Sequence, residues 1–175
     1  IAEDLGYMTQ SVRDLVAETG YPGMKVLQFA FGSGSDNEYL PHNYTPNSVV
    51  YTGTHDNETL MQYLECTEEH VRNHIREYMN RPHASNEELC ENLIWMAMSS
   101  VGKYCMIPLQ DYLGLGKEAR MNYPSTLGHN WEWRVRKEQL THDLAGYIAH
   151  MTGLSYRWRI DPPKKEETDE GKAEK

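Results

Sequence analysis

The chain has 175 residues, with 17 basic side chains against 26 acidic ones, a net charge of −9 and 39% apolar content, so a packed core is within reach. No apolar run approaches the ~18 residues that a membrane-spanning helix needs, and the acidic balance argues against a nucleic-acid partner, whose phosphates require a surplus of lysine and arginine. Cys66, Cys90 and Cys105 are far apart and form no C-x-x-C pair, which fits neither a disulfide framework nor a thiolate zinc site; they read as small buried hydrophobes of a reducing cytoplasm.

Ile1-Ala2 reads as the end of an apolar strand running into Glu3-Asp4-Leu5-Gly6. Thr9 to Glu18 carries Val12, Leu15 and Val16 at helical spacing and is stopped by Gly20. Met24 to Phe31, bounded by Pro22-Gly23 and Gly32-Ser33-Gly34, is too continuously apolar for a solvated edge and reads as a strand buried on both faces. Asp36 to Ser48, with Pro41 and Pro46, is a loop, and Val49 to Gly53 is a third strand leading into Thr54-His55-Asp56-Asn57.

The pattern then turns helical. Leu60 with Leu64, then Val71, Ile75, Tyr78 and Met79, then Leu89, Leu93, Met96 and Ala97 make three stripes, the last opened by a Ser85-x-x-Glu88 capping box. Cys105 to Leu109 is a fourth strand, followed by Gln110-Asp111, a glycine-rich turn, and the segment 120–134 with Trp131 and Trp133. A closing helix capped near Thr141 turns Leu144, Ile148 and Met151 inward. Residues 161–175, Pro-Pro followed by mixed lysine and glutamate, have the composition of a disordered tail.

Strands alternating with helices indicate an α/β chain with a parallel sheet, and polar residues directly after several strands are what a (β/α)₈ barrel shows at its catalytic face. A whole barrel takes ~250 residues, so about four parallel strands over residues 1–160 are expected to be the C-terminal half of one. The expected first partner is then the N-terminal half of the same protein.

Glu3 and Asp56 each follow a strand, so in a barrel both carboxylates point into one mouth. Two convergent acids suit glycosyl transfer, which needs a group that gives a proton to the leaving oxygen and negative charge beside an oxocarbenium-like centre. Acids after strands also serve as helix N-caps, and His55 fits either a sugar hydroxyl or a structural role. Trp131 and Trp133 fit either stacking on sugar faces or bracing by packing. His70 and His74 are four apart but lack an intervening glutamate and a third ligand; with His83, His142 and His150 they read as solvated surface residues, and no metal is expected.

Ile1-Ala2-Glu3-Asp4-Leu5-Gly6, Gly23-Met24-Lys25-Val26-Leu27-Gln28-Phe29-Ala30-Phe31, Tyr51-Thr52-Gly53-Thr54-His55-Asp56-Asn57, Arg120-Met121-Asn122-Tyr123-Pro124 and Asn130-Trp131-Glu132-Trp133-Arg134 together resemble the amylomaltase family of 4-α-glucanotransferases, glycoside hydrolase family 77. The resemblance runs from Ile1 to about Arg136 and keeps the order and approximate spacing of the motifs. It implies a (β/α)₈ barrel with inserted subdomains, transfer of α-1,4-glucan segments among maltooligosaccharides or to glucose, and no cofactor. It also implies that Glu3 is the general acid/base, that Asp56 stabilises the distorted sugar ring, that His55 binds a sugar hydroxyl, and that Asn122 lies near the substrate groove.

Asp4, beside Glu3, is aimed away from the mouth by alternation and reads as structural. The family's aspartate nucleophile belongs to an Arg-Ile-Asp-His motif on the preceding strand, which this sequence does not include; Arg159-Ile160-Asp161 repeats three of those letters but stands after the last helix and before prolines. Ser125 and His129 depart from the family pattern near Pro124. The isolated chain is therefore expected to be inactive, and an α-glucan hydrolase or a noncatalytic carbohydrate-binding module are the alternative readings.

Overall fold

The computed structural model describes residues 1–6 and 8–157. β1 (Gly23–Val26), β2 (Ser48–Tyr51) and β3 (Tyr104–Met106) form a parallel sheet in that order. Val26 pairs with Tyr51 and Tyr51 with Met106, so the three strands end level and release their following loops at one edge. Parallel neighbours need a crossover, which α2 (Leu60–Cys66), α3 (Glu69–Tyr78) and α4 (Asn86–Met98) supply between β2 and β3. α1 (Gln10–Thr19) precedes β1, while α5 (Leu109–Tyr112) and α6 (His142–Leu154) follow β3.

The helices start where side chains can satisfy their first N–H groups. Thr9 accepts from Val12 N–H at α1, Ser85 and Glu88 form the reciprocal capping box of α4, and Thr141 accepts from Leu144 N–H at α6. Their apolar stripes bury Leu60, Leu64, Ile75, Leu89 and Leu93 against Leu27, Phe31, Leu40 and Val50, and Met151 of α6 joins the same core. α1 stands apart: it has no buried residue, and Leu15 is 59% exposed. No helix among the described residues is long and apolar enough to cross a membrane.

Several expectations need correction. Ile1-Ala2 is not a strand; a single hydrogen bond, Ala2 N–H to the Pro22 carbonyl, sets it beside the start of β1, too little for a ladder, and the described sheet has three strands rather than four. The run Met24 to Phe31 is extended only to Val26, after which Leu27–Phe29 turn as a 3₁₀ helix and leave Phe29 exposed while Phe31 enters the core. The third strand is Tyr104–Met106 rather than Cys105 to Leu109, because Pro108 has no N–H for a ladder and Leu109 already begins α5. Cys90 is buried and Cys105 partly so, but Cys66, at the end of α2, is exposed. His74 is not solvated: its ring donates to the Phe31 carbonyl at 3.0 Å and meets the Phe31 ring edge-on. The expected tail and Arg159-Ile160-Asp161 lie outside the described residues.

Candidate active site

The loop after β2 is built from short polar side chains that bond to their own backbone. Asn57 Oδ1 accepts from both the N–H and the hydroxyl of Thr54, at 2.9 Å each, and Thr59 caps α2 by accepting from Gln62 N–H at 3.2 Å. The cap of α2 is therefore Thr59, and Asp56 keeps its carboxylate free of helix duty. His55 and Asp56 project from this turn with half of each side chain exposed, His55 Nε2 standing 3.3 Å from Asp56 Oδ1.

Glu3, His55 and Asp56 line one cleft of about 500 Å³, which Met24 of β1 and Tyr51 at the end of β2 also line. Leu5 also faces this cleft, whereas Asp4 between them turns back and accepts from Met24 N–H at 2.6 Å, as alternation along an extended segment requires. Among the described residues no hydrogen bond or ion pair engages the Glu3 carboxylate. An apolar lining with a few convergent polar groups is the usual make-up of a small-molecule site.

A second loop closes on the first. Asn122 donates its amide to Asp56 Oδ1 at 2.7 Å. Arg120 holds the two loops together: its guanidinium donates to Glu58 Oε1 at 2.7 Å, to the Asp56 carbonyl at 2.9 Å and to the Asn122 carbonyl at 3.0 Å, and it lies 4.4 Å over the Tyr123 ring. The fork of a guanidinium is suited to several acceptors at once, and here it joins Asp56, which lines the cleft, to Glu58 and Asn122 behind it. Trp131 leans on His55, ring centroids 5.1 Å apart at 34°, and is 51% exposed, so it neither braces a buried core nor stands free of the site. It holds φ +65°, with its N–H bonded to the Met121 carbonyl at 2.7 Å. Ser125 and His129, the two departures from the family pattern, also have positive φ, at 63° and 56°.

Beneath the loop lie groups that sequence reasoning passed over. The Gln28 amide donates to the Glu58 carbonyl at 2.9 Å and lies so close to Gly53 that a Cβ there would collide with it. Asp111, at the start of α5, is buried, and its carboxylate accepts from the Thr52 hydroxyl at 2.6 Å and from Leu60 N–H at 2.8 Å. Burial pushes its pKa up to about 6 despite those two donors. The available signal was positional: like Glu3 and Asp56, Asp111 is an acid placed shortly after an apolar run. Its inward turn was not readable from that placement.

A family model described as 4-alpha-glucanotransferase matches residues 1–141. The chain is similar to the 4-alpha-glucanotransferase of Clostridium butyricum, 44% identical over 155 residues, which cover 88% of this chain and 31% of that protein. It is also similar to the chloroplastic/amyloplastic 4-alpha-glucanotransferase of Solanum tuberosum, 46% identical over 135 residues, which cover 77% of this chain and 23% of that protein. The chain thus spans less than a third of the length of these relatives.

Among solved structures, amylomaltase from Streptococcus agalactiae in complex with acarbose superposes with a TM-score of 0.82 at 34% identity, over 89% of this chain and 31% of that one. Amylomaltase from Corynebacterium glutamicum, 19% identical, shares the fold with a TM-score of 0.63 over 87% of this chain and 28% of that one. The parallel strands and their helices are an arc of the amylomaltase (β/α)₈ barrel, and the chain belongs to the 4-alpha-glucanotransferase family.

Proposed function

We propose that the complete protein carrying this chain is a retaining 4-α-glucanotransferase that moves α-1,4-glucan segments between maltooligosaccharides or to glucose. Glu3 protonates the leaving oxygen and later activates the acceptor hydroxyl; Asp56 grips sugar hydroxyls as the ring flattens; His55 and Asn122 hold hydroxyls in the same subsite. The nucleophile is an aspartate outside the described residues, and residues 1–160 serve as the C-terminal half of the catalytic barrel. The observation that supports this most directly is the shared cleft: Glu3 from ahead of β1 and His55-Asp56 from behind β2 open on one space, with Asn122 bonded to Asp56. The three free thiols suit a reducing compartment, and we assign the protein to the cytoplasm.

Incubation of the complete protein with maltotriose tests the reading. A ladder of longer chains is expected; glucose and maltose alone would make it a hydrolase. Glu3→Gln should abolish transfer from maltotriose while sparing the first step with an activated donor, whose leaving group needs little protonation, and azide should accelerate breakdown of the trapped intermediate. Near-normal disproportionation by Glu3→Gln would overturn the acid/base assignment.

A further inference from the structure

The loop that presents His55 and Asp56 runs from the end of β2 to the first residue of α2, and both of its ends meet the same buried carboxylate. Thr52, just past β2, donates its hydroxyl to Asp111 Oδ2, and Leu60, the first residue of α2, donates its N–H to Oδ1. We propose that Asp111 is a positioning residue, clamping the two ends of the Thr52–Leu60 loop so that Asp56 reaches the sugar at the geometry of the transition state. The inference rests on the role given to Asp56 above.

The surroundings of Asp111 suit a clamp better than a solvated acid. It is 3% exposed and, among the described residues, has no cation beside it, so its place depends on two donors drawn from residues 59 and 51 positions away. An apolar side chain there would leave the Leu60 N–H and the Thr52 hydroxyl buried without an acceptor, a costly arrangement in a dry interior. Its own backbone is fixed in turn: Cys90 of α4 donates its thiol to the Asp111 carbonyl at 3.7 Å. The neighbouring Gln110 donates its amide to the Ala119 carbonyl at 3.2 Å, one residue ahead of Arg120. α5 therefore ties the Asp56 loop from below and borders the segment that carries Asn122 against it.

The test is steady-state kinetics of the complete protein on maltotriose, at a temperature well below each variant's melting midpoint. Asp111→Ala should lower kcat by roughly tenfold to a hundredfold with KM held within about threefold, because small misplacement of a group acting in the transition state costs rate rather than binding. Asp111→Asn, whose amide can accept from Leu60 N–H and donate to Thr52 Oγ1, should recover most of kcat. Where Asp111→Ala does not fold, Thr52→Val replaces it under the same criteria, with Thr52→Ser as the recovery. Parental kcat in the folded variant, or a rise in KM with kcat intact, overturns the clamp. Asp56→Asn is run beside them: its loss of activity next to parental Asp111→Ala overturns the clamp alone, and parental activity in Asp56→Asn overturns the reading of Asp56 and the clamp with it.

Discussion

Asn122 and Asp56, 66 residues apart in the chain, meet in one hydrogen bond, with the Asn122 amide donating to Asp56 Oδ1 at 2.7 Å. The amide donor fixes the carboxylate oxygen that His55 Nε2 also approaches at 3.3 Å, so the orientation of Asp56 is set in part by a loop from the far side of β3. Asn122→Ala should therefore lower kcat/KM roughly tenfold or more, since a hydrogen bond to a charged group contributes about 1.5–3 kcal/mol. Asn122→Asp should be worse, because two carboxylates in contact raise one another's pKa, and its pH–rate profile should shift its acidic limb upward. A parental profile for Asn122→Asp would show that the two side chains part when substrate binds.

Arg120 makes a sharper case, because its charge and its shape can be separated by one substitution. Its ion pair with Glu58 is partly buried, with 11% and 34% of the two side chains exposed, and the same guanidinium bonds the Asp56 and Asn122 carbonyls. Arg120→Lys keeps the charge but gives up the planar fork, so it should lose about 2 kcal/mol of stability in a denaturant melt and lower kcat as the two loops come apart. Full activity in Arg120→Lys would reduce the residue to its charge.

Part of this cleft was legible from one local rule, an acid placed after an apolar run: it held structurally for Asp56 behind β2, whereas Glu3 follows no described strand and is set beside the start of β1 by the Ala2–Pro22 hydrogen bond. That rule singled out Glu3 and Asp56, which line one cleft, and alternation alone turned Asp4 aside. The same rule could not say which way Asp111 turns, since its donors, Thr52 and Leu60, come from across the sheet. Nor could it find the end of β1, because Leu27 in the 3₁₀ turn and Ala30 and Phe31 after it are as buried as Val26 is in the strand. Trp131 was left between stacking and packing for a related reason. Its position over His55 depends on a positive φ that a bulky residue rarely adopts and that no residue type in Asn130-Trp131-Glu132 announces.

Asp111 also sets a pH dependence of stability. Its folded pKa, pushed up to about 6 by burial, lies above the ordinary aspartate value of 3.8, so between those values the folded protein holds a proton that the unfolded chain has released. Its contribution to stability is present below pH ~4 and lost as the pH rises through ~6, with a total of roughly 3 kcal/mol. The adjacent Cys90 thiol, raised to about 12 chiefly by burial, stays neutral throughout and adds nothing to the slope. Glu38, lowered by its bonds to Lys25 and Arg13 in spite of partial burial, acts in the opposite direction, so the informative quantity is the parent curve minus that of Asp111→Asn. Urea melts of both proteins from pH 4 to pH 7 should show that difference falling with pH; a flat difference would mean Asp111 titrates as an ordinary carboxylate.

Asp4 and Asp56 provide the final contrast, two aspartates near one cleft with different partners. Asp4 Oδ1 accepts the Met24 N–H at 2.6 Å, and a Cβ on Gly23 would collide with the same carboxylate, so Asp4 is seated against the start of β1. Asp56, by contrast, caps no helix and faces the cleft. Asp4→Asn keeps an oxygen acceptor for Met24 and should cost about 1 kcal/mol of stability while turnover stays near parental. Asp56→Asn should leave the melt nearly unchanged and lower kcat and kcat/KM together by several orders of magnitude, the mark of an interaction made mainly in the transition state. Thermal melts and maltotriose kinetics on both variants separate the two roles. Loss of turnover in Asp4→Asn with survival of Asp56→Asn would mean that the carboxylate serving the sugar had been placed on the wrong loop.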